Sequence, residues 1–425
     1  MTHKNDIRLS LISEWLTKNY LDFGRLRSNC VTDRVQVALD LDNTLWKDVD
    51  DREFNSMLID CAEALQRNIS ITEFQTVLQS KIIPRVHPLR DYIQSLAPYS
   101  ENEPDWITRK ANEITLLHPE QRERFIACFT KWIVAMVACW MDDNVANHQV
   151  LVLVGPQGSF KSSWLNTLLP EPLRVYQNNL VLNGMGKVDD DVRNMLYENA
   201  IVNLDELDAM GNTELNQIKS LITCQVITNR AKYQRFKTSH VRIASLCGST
   251  NKTHFLTDLT GSRRWMPFEV SAIVNPYENI FPLDRMYAQA YHLYRSGLEY
   301  WMTPEDNAVL NQHNEDFRVQ DSMEELLKFP GVGRKIANLL LGDIFRKGGI
   351  VDDTHCIRIC GRLGFYPETS KDPLKTERAM SVLIPPEEQS DFCHRIVQFG
   401  RDVCIARSPR CEECILADVC KGKRK

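Results

Sequence analysis

"VLVLVGPQGSFKSSWLNTLL", Val150 to Leu169, is the stretch that decides the fold. Its opening apolar run reads as a strand buried on both faces, the pattern of a parallel sheet. A glycine turn follows, then a helix. Gly155 and Gly158 let backbone N–H groups face phosphates, Lys161 is placed to meet the β- and γ-phosphates, and the Ser162 hydroxyl is placed to ligate Mg²⁺. The glycine expected just before the lysine is Phe160 here.

Working outward, "AIVNLDELD" is an apolar strand ending in Asp205 and Glu206. The pair suits one acid that holds Mg²⁺ and one, Glu206, that polarises the attacking water. "SLCGSTN" ends a third strand at Asn251, a position suited to orienting that water. "LTGSRRW" brings Arg263 and Arg264, candidates to stabilise transferring phosphate across a subunit interface. Between these strands, "NRAKYQRFKTSHVR" interleaves Arg230, Lys232, Arg235, Lys237 and Arg242 with Tyr233 and Phe236, a strip compatible with DNA tracking. Strands alternating with helices predict a mostly parallel α/β core. Upstream, residues 104–145 read as helical, and "WIVAMVACWM" (Trp132 to Met141) reads as a buried helix too short to cross a bilayer.

The chain has 425 residues, enough for two or three domains, with 43% hydrophobic and 25% charged residues. Net charge is -5, so nucleic-acid contact must come from local basic patches. "MTHKNDIRLS" is polar and carries no secretion signal, which points to a cytoplasmic location. In that compartment the 13 cysteines are not a disulfide framework, and nine of them read as core thiols. "VALDLDNTLW" (Val37 to Trp46) places Asp40 and Asp42 as in the nucleophile motif of haloacid dehalogenase-like phosphatases. No partner motifs follow it, so it reads as a strand ending in a turn with solvated acids.

The parts around Val150 together resemble the virulence-associated E family of mobile-element ATPases, akin to superfamily 3 helicases. The resemblance spans residues 1–320 through "NCVTDRVQ", "DDREFNSM", "HPLRDYIQSL", "GPQGSFKSSW", "LDELDAM", "GSTN", "FLTDLTGSRRWMPFEV" and "HNEDFRVQ". It implies an ATP- and Mg²⁺-dependent motor, ring-forming through its ATPase domain. It also accommodates Phe160 as a variant of the phosphate loop.

After residue 320 the pattern changes. "SMEELLKFPGVGRKIANLLL" reads as a helix capped by Ser322 and Glu325, a stop at Pro330, a hairpin at Gly331 and Gly333, and a second helix from Arg334. Such a helix-hairpin-helix grips nucleic-acid backbone. Lys335 lies in the first turn, where the positive helix end favours the neutral amine a Schiff-base nucleophile needs. Asp353, in "IVDDTHC", is placed to stabilise a developing sugar cation or assist proton transfer while Lys335 attacks C1′. Asp352 adds a second carboxylate beside it. Cys404, Cys411, Cys414 and Cys420 form C-x6-C-x2-C-x5-C, a set for either a [4Fe–4S] cluster or a structural zinc. Arg407 and Arg410 stand on the intervening loop as phosphate contacts.

In this order, residues 322–425 resemble endonuclease III, the iron–sulfur DNA glycosylase/AP lyase, through "PGVGRK", "VDDTHCIRICGRLG" and "FCHRIVQFGRDVCIARSPRCEECILADVC". The resemblance implies Lys335 as nucleophile, Asp353 as its acid partner, the four cysteines as [4Fe–4S] ligands and a structural His355. It also implies a truncation: the family has about a hundred residues before this hairpin that build most of a helical barrel around the flipped base. Here the ATPase-like segment stands in that place.

The expected architecture is therefore multidomain. A helical and mixed region (1–100) precedes an α/β P-loop ATPase core (101–320), and an all-α helix-hairpin-helix and [4Fe–4S] module (321–425) ends the chain. The expected function joins a helicase-like ATPase to base excision on double- or single-stranded DNA. The alternatives are an ATPase with a non-catalytic iron–sulfur DNA clamp, or a non-functional gene-fusion composite joined at "FRVQDSMEELL".

Overall fold

The computed structural model describes residues 2–40, 42, 45–180, 190–205, 207, 212–229, 238–256, 262–319, 326–327, 329–369 and 372–422. The chain divides into two units, Met1–Arg318 and Val319–Lys425.

The first unit is organised by a six-stranded sheet of β5 (Ile114–Leu116), β6 (Val150–Val154), β7 (Gln177–Leu180), β8 (Ile201–Leu204), β11 (Ser245–Thr250) and β12 (Trp265–Ile273). Their order is β5-β12-β6-β11-β8-β7. All neighbours run parallel except the edge pair β5–β12. β6, β8 and β11 are buried at every residue, which is why their sequences read as continuous apolar or small runs. The alternation of β6 divides its side chains between two cores. Leu151 and Leu153 pack with Phe129, Trp132 and Trp164. Val150, Val152 and Val154 pack on the other face with Ile218, Leu246 and Trp265.

The helix Arg122–Met141 covers the first of those faces, and Trp132 Nε1 donates to the Leu246 carbonyl at 3.0 Å. The span Pro119–Met141 is long and apolar enough to cross a membrane by length and composition. The apolar run seen from Trp132 onward extends backward through Phe125 and Phe129, and these side chains are buried within the protein. The strand β5 was hidden in the stretch read as helical, because "EITLL" is too short to display its own period.

Ahead of this core, β1 (Leu26–Asn29), β2 (Arg34–Ala38), β3 (Trp46–Asp48) and β4 (Arg85–Val86) form a sheet ordered β3-β2-β1-β4. β2 runs antiparallel to both neighbours. A doubly wound phosphatase domain needs that strand in a parallel sheet, so β2 does not fit that fold. Asp40 Oδ1 accepts from the Leu45 amide at 2.9 Å, and Asp42 is exposed. β9 (Val226–Asn229) pairs antiparallel with β10 (Thr238–Val241) ahead of β11 in the chain.

The second unit is helical. Helices Arg334–Asp343, Thr354–Leu363, Pro373–Leu383 and Gln389–Asp402 surround Ile350, Cys356, Ile359, Cys360, Met380, Cys393 and Ile396.

Candidate active sites

In the first unit, the turn after β6 runs from Gly155 to Phe160 and enters the helix Lys161–Asn166. Gly155 is fixed by contact: a Cβ there would lie 2.8 Å from the Val270 carbonyl oxygen. Its N–H donates to the Thr250 carbonyl at 3.1 Å, which ties the loop to the end of β11. Phe160 sits at φ 62°, ψ 15°, the left-handed region. The missing glycine has been replaced without changing the backbone conformation that glycine serves.

Lys161 is only 6% exposed, yet its ammonium stands at the centre of the loop. Nζ donates to the carbonyls of Gly155 (2.8 Å) and Pro156 (2.7 Å) and to Asn251 Oδ1 (3.2 Å). Ser162 Oγ donates to Asp205 Oδ1 at 2.8 Å. Ser249 Oγ lies 2.9 Å from Ser162 Oγ and donates to the same carboxylate oxygen at 3.0 Å. These groups border a cleft of about 370 Å³ at the carboxyl ends of β6, β8 and β11. Ligands gather there in open α/β sheets. Residues from three separate strand ends thus meet at one place: Lys161, Ser162, Asp205 and Asn251. Ser249 went unremarked in the sequence because a serine at a buried strand end carries no signal until the neighbouring carboxylate is placed. The hydroxyl and carboxylate oxygens are hard donors of the kind Mg²⁺ prefers. Glu206 lies outside the described residues.

Arg263 and Arg264 are not at this cleft. They precede β12, whose first residue Trp265 pairs with Val150, so they occupy the opposite end of the sheet. The basic strip divides as well. Arg230, Lys232, Tyr233, Arg235, Phe236 and Lys237 lie outside the described residues. Arg242 is fully buried, which removes it from the strip read as compatible with DNA tracking. Its guanidinium donates to the carbonyls of Leu221, Ile222 and Asn147. The first two are last-turn carbonyls of the helix Asn212–Thr223, which have no partner within the helix. Burial pulls the Arg242 pKa down to about 10.

In the second unit, Gly331 takes φ +83°, which the hairpin requires and a side chain would oppose. A Cβ on Gly333 would meet open space, so this turn is exposed rather than packed. Ser322 and Glu325 lie outside the described residues. Lys335, the second residue of its helix, places Nζ 3.5 Å from Asp353 Oδ2. Asp353 caps the helix Thr354–Leu363: Oδ1 accepts from the amides of His355 (2.6 Å) and Cys356 (3.2 Å). One carboxylate oxygen is therefore held by the helix end, and the other faces the lysine. His355 Nδ1 lies 3.2 Å from Arg358 Nη2, which donates to the Cys404 carbonyl. Burial raises the pKa of Asp352, and the Glu377 charge pushes the same way. Arg334 is already engaged, forming a fork onto Glu377 at 2.7 and 2.8 Å. Arg407 and Arg410 are exposed.

Cys404, Cys411, Cys414 and Cys420 line one cavity together with Arg362 and Arg410. Among the described residues no three His, Cys, Asp or Glu side chains are arranged to hold a single metal ion. Four thiols around one space are the donor set a [4Fe–4S] cluster uses. Arg362, 4% exposed, donates to Cys404 Sγ at 3.2 Å and to the Ala406 carbonyl at 2.9 Å. A buried cation offsets the negative charge that four thiolates bring. All thirteen cysteines are free thiols.

A family model for the virulence-associated protein E-like domain matches residues 105–319, and one for the iron–sulfur binding domain of endonuclease III matches residues 404–420. Endonuclease III of Thermotoga maritima is 44% identical over 108 residues, 25% of this chain and 50% of the relative. Endonuclease III of Escherichia coli K12 is 39% identical over 117 residues, 28% of this chain and 54% of the relative. The chain thus spans about half the length of the curated relatives it matches. Among solved structures, the apo structure of the NrS-1 C terminal region covers 80% of this chain and 82% of that chain, at 13% identity and a TM-score of 0.44.

Proposed function

This chain belongs to the virulence-associated protein E-like family, and on that footing we propose that it is a DNA-processing protein that hydrolyses ATP in its first unit and acts on DNA through its endonuclease III-like second unit. The observation that carries the reading is the meeting of Lys161, Ser162, Asp205, Ser249 and Asn251 at one cleft. A cation at the centre of a phosphate-facing loop neutralises the charge of the transferring group. Ser162 and Asp205 are the residues that would hold Mg²⁺, which when bound polarises the phosphate oxygens. Asn251, anchored to Lys161, orients the attacking water, and we assign Glu206 the role of polarising it. We place the unit in a homo-oligomeric ring on DNA. The test is ATP turnover by the full chain with and without DNA. Turnover should rise with DNA and vanish in Lys161→Ala; unchanged turnover in that variant refutes the reading.

In the second unit the proposed chemistry follows from the 3.5 Å pairing of Lys335 with Asp353. The Lys335 amine attacks the sugar C1′, a C–N bond forms, and the bond from C1′ to the base (at an abasic site, to the hydroxyl) breaks, its electron pair leaving with that group. Asp353 Oδ2 takes the proton that nitrogen loses and hands it to the departing group. The bond from C1′ to the ring oxygen then breaks, and that oxygen takes up a proton as the imine forms. The resulting imine acidifies C2′, and its deprotonation expels the 3′ phosphate by β-elimination. Gly331 and Gly333, with Arg334, Arg407 and Arg410, are proposed to face the DNA backbone, Arg334 after exchanging Glu377 for phosphate. Cys404, Cys411, Cys414 and Cys420 would hold a [4Fe–4S] cluster, which when bound would tie the segment 404–420 together. A second reading, a DNA clamp without lyase activity, is favoured by one observation: the match to endonuclease III covers about half of that protein.

A further inference from the structure

The chain leaving β11 crosses the end of β6, where the glycine turn begins, and is tied down on the far side. β6 lies between β11 and β12 in the sheet, so a contact from the end of β11 to β12 must span it. Thr253, just past the last residue of β11, makes that contact: Oγ1 donates to Glu269 Oε1 at 2.7 Å. Glu269 pairs in register with Val154, the residue before Gly155. This strap is pinned at both ends. At its start the Thr250 carbonyl accepts from the Gly155 amide at 3.1 Å, and Thr250 Oγ1 accepts from the Lys252 amide at 3.1 Å. At its far end the Glu269 carbonyl accepts from the Leu117 amide at 2.8 Å, and Oε2 lies 3.0 Å from His118 Nε2. Between the pins stands Asn251, whose Oδ1 accepts from Lys161 Nζ at 3.2 Å.

Glu269 interrupts a run of buried apolar residues, Trp265, Met266, Phe268 and Val270, and its own side chain is only 16% exposed. A carboxylate in such a place needs partners for both oxygens, and it has one on each side. Held that way, it offers Thr253 a single acceptor position. Asn251 lines the cleft, whereas Thr253, Glu269 and His118 do not. A group that orients an attacking water must be held to a fraction of an ångström, which a loop amide alone is not. Resting on the reading of this cleft as an ATPase site, we propose that Thr253 and Glu269 are positioning residues for hydrolysis. They hold Asn251 over the reacting phosphate without touching nucleotide, and His118 holds Glu269. Their effect falls on turnover. Nucleotide binding is left to Lys161 and the turn amides.

The test is steady-state ATP hydrolysis by the full chain with Mg²⁺, with a urea midpoint recorded for each variant. Thr253→Val keeps the size of the side chain and removes the donor. It should lower kcat by about tenfold and leave KM within about twofold. Thr253→Ser returns the hydroxyl and should restore most of kcat. Glu269→Gln, which keeps an acceptor oxygen, should lose less than Glu269→Ala. The proposal is overturned if Thr253→Val turns over ATP like the native chain. It is equally overturned if kcat falls only in step with the urea midpoint, if KM rises as much as kcat falls, or if Thr253→Ser restores nothing, as a merely structural contact would give. A native chain that hydrolyses no ATP refutes the reading of the cleft and this proposal with it. Native turnover that Lys161→Ala abolishes and Thr253→Val leaves intact refutes this proposal alone.

Discussion

Phe160 offers the sharpest test of the geometry of the loop proposed to bind phosphate. Its backbone sits at φ 62°, ψ 15°, where a residue bearing a Cβ is disfavoured by about 1–2 kcal/mol. Replacing it by glycine relieves that strain but returns about 0.5–1 kcal/mol of freedom to the unfolded chain. The ring is partly exposed, at 38%, so its loss has a cost of its own. Comparing Phe160→Gly with Phe160→Ala cancels that cost, because both remove the ring. The difference isolates the backbone, and glycine should be the more stable of the two by about 0.5–1 kcal/mol. Urea unfolding of the full chain, followed by tryptophan fluorescence in the first unit, measures it. Equal midpoints, or a more stable alanine variant, would refute a left-handed residue at this position. The strain stands one residue before Lys161, where local strain at functional sites is commonly kept.

Other predictions concern the supports of the two sites. Lys110 and Glu113 form a buried pair at 2.6 Å, and Glu113 also accepts from Trp164 Nε1 in the phosphate-loop helix and from Asn279. Glu113→Leu strands a buried ammonium and should cost about 3–5 kcal/mol. Lys110→Met, which leaves Glu113 its two neutral donors, should cost less; urea midpoints decide the order. In the second unit, Asp343 joins Ser390 and His394 across two helices, at 2.5 and 3.0 Å. The Ser390 hydrogen bond, then His394, holds its pKa below the usual carboxylate value. A depressed folded pKa stabilises above the unfolded value of about 3.9 and is lost as pH falls through the folded one. Acid titration should therefore weaken this unit below about pH 4, and Asp343→Asn should remove that part of the pH dependence. An unchanged acid profile in the variant would contradict the assignment.

The core of the first unit was legible because β6 is apolar throughout and followed by glycines, a pattern with few other meanings. The phosphate-loop departure was visible as Phe160, but only the backbone reveals that phenylalanine keeps the glycine conformation. Arg242 misled because a cation amid Lys, Arg and aromatic residues reads as part of a DNA-facing strip. Its burial depends on helix-end carbonyls some twenty residues away in the chain, which no local pattern announces. Arg263 and Arg264 were read as candidates to stabilise transferring phosphate across a subunit interface, and their place at the opposite end of the sheet depends on strand direction and register. In the second unit, cysteine spacing and the hairpin glycines were legible one by one. Arg362 was not, since an arginine inside a helix acquires its meaning only when Cys404 folds back onto it.

Whether the second unit carries the proposed lyase chemistry turns on Lys335. The direct measurement is borohydride trapping of the full chain on duplex DNA with one abasic site. The native chain and Lys161→Ala should both form a covalent protein–DNA adduct, and Lys335→Ala should form none. An adduct that survives Lys335→Ala, or none with the native chain, would contradict the lyase assignment and leave the second unit a clamp.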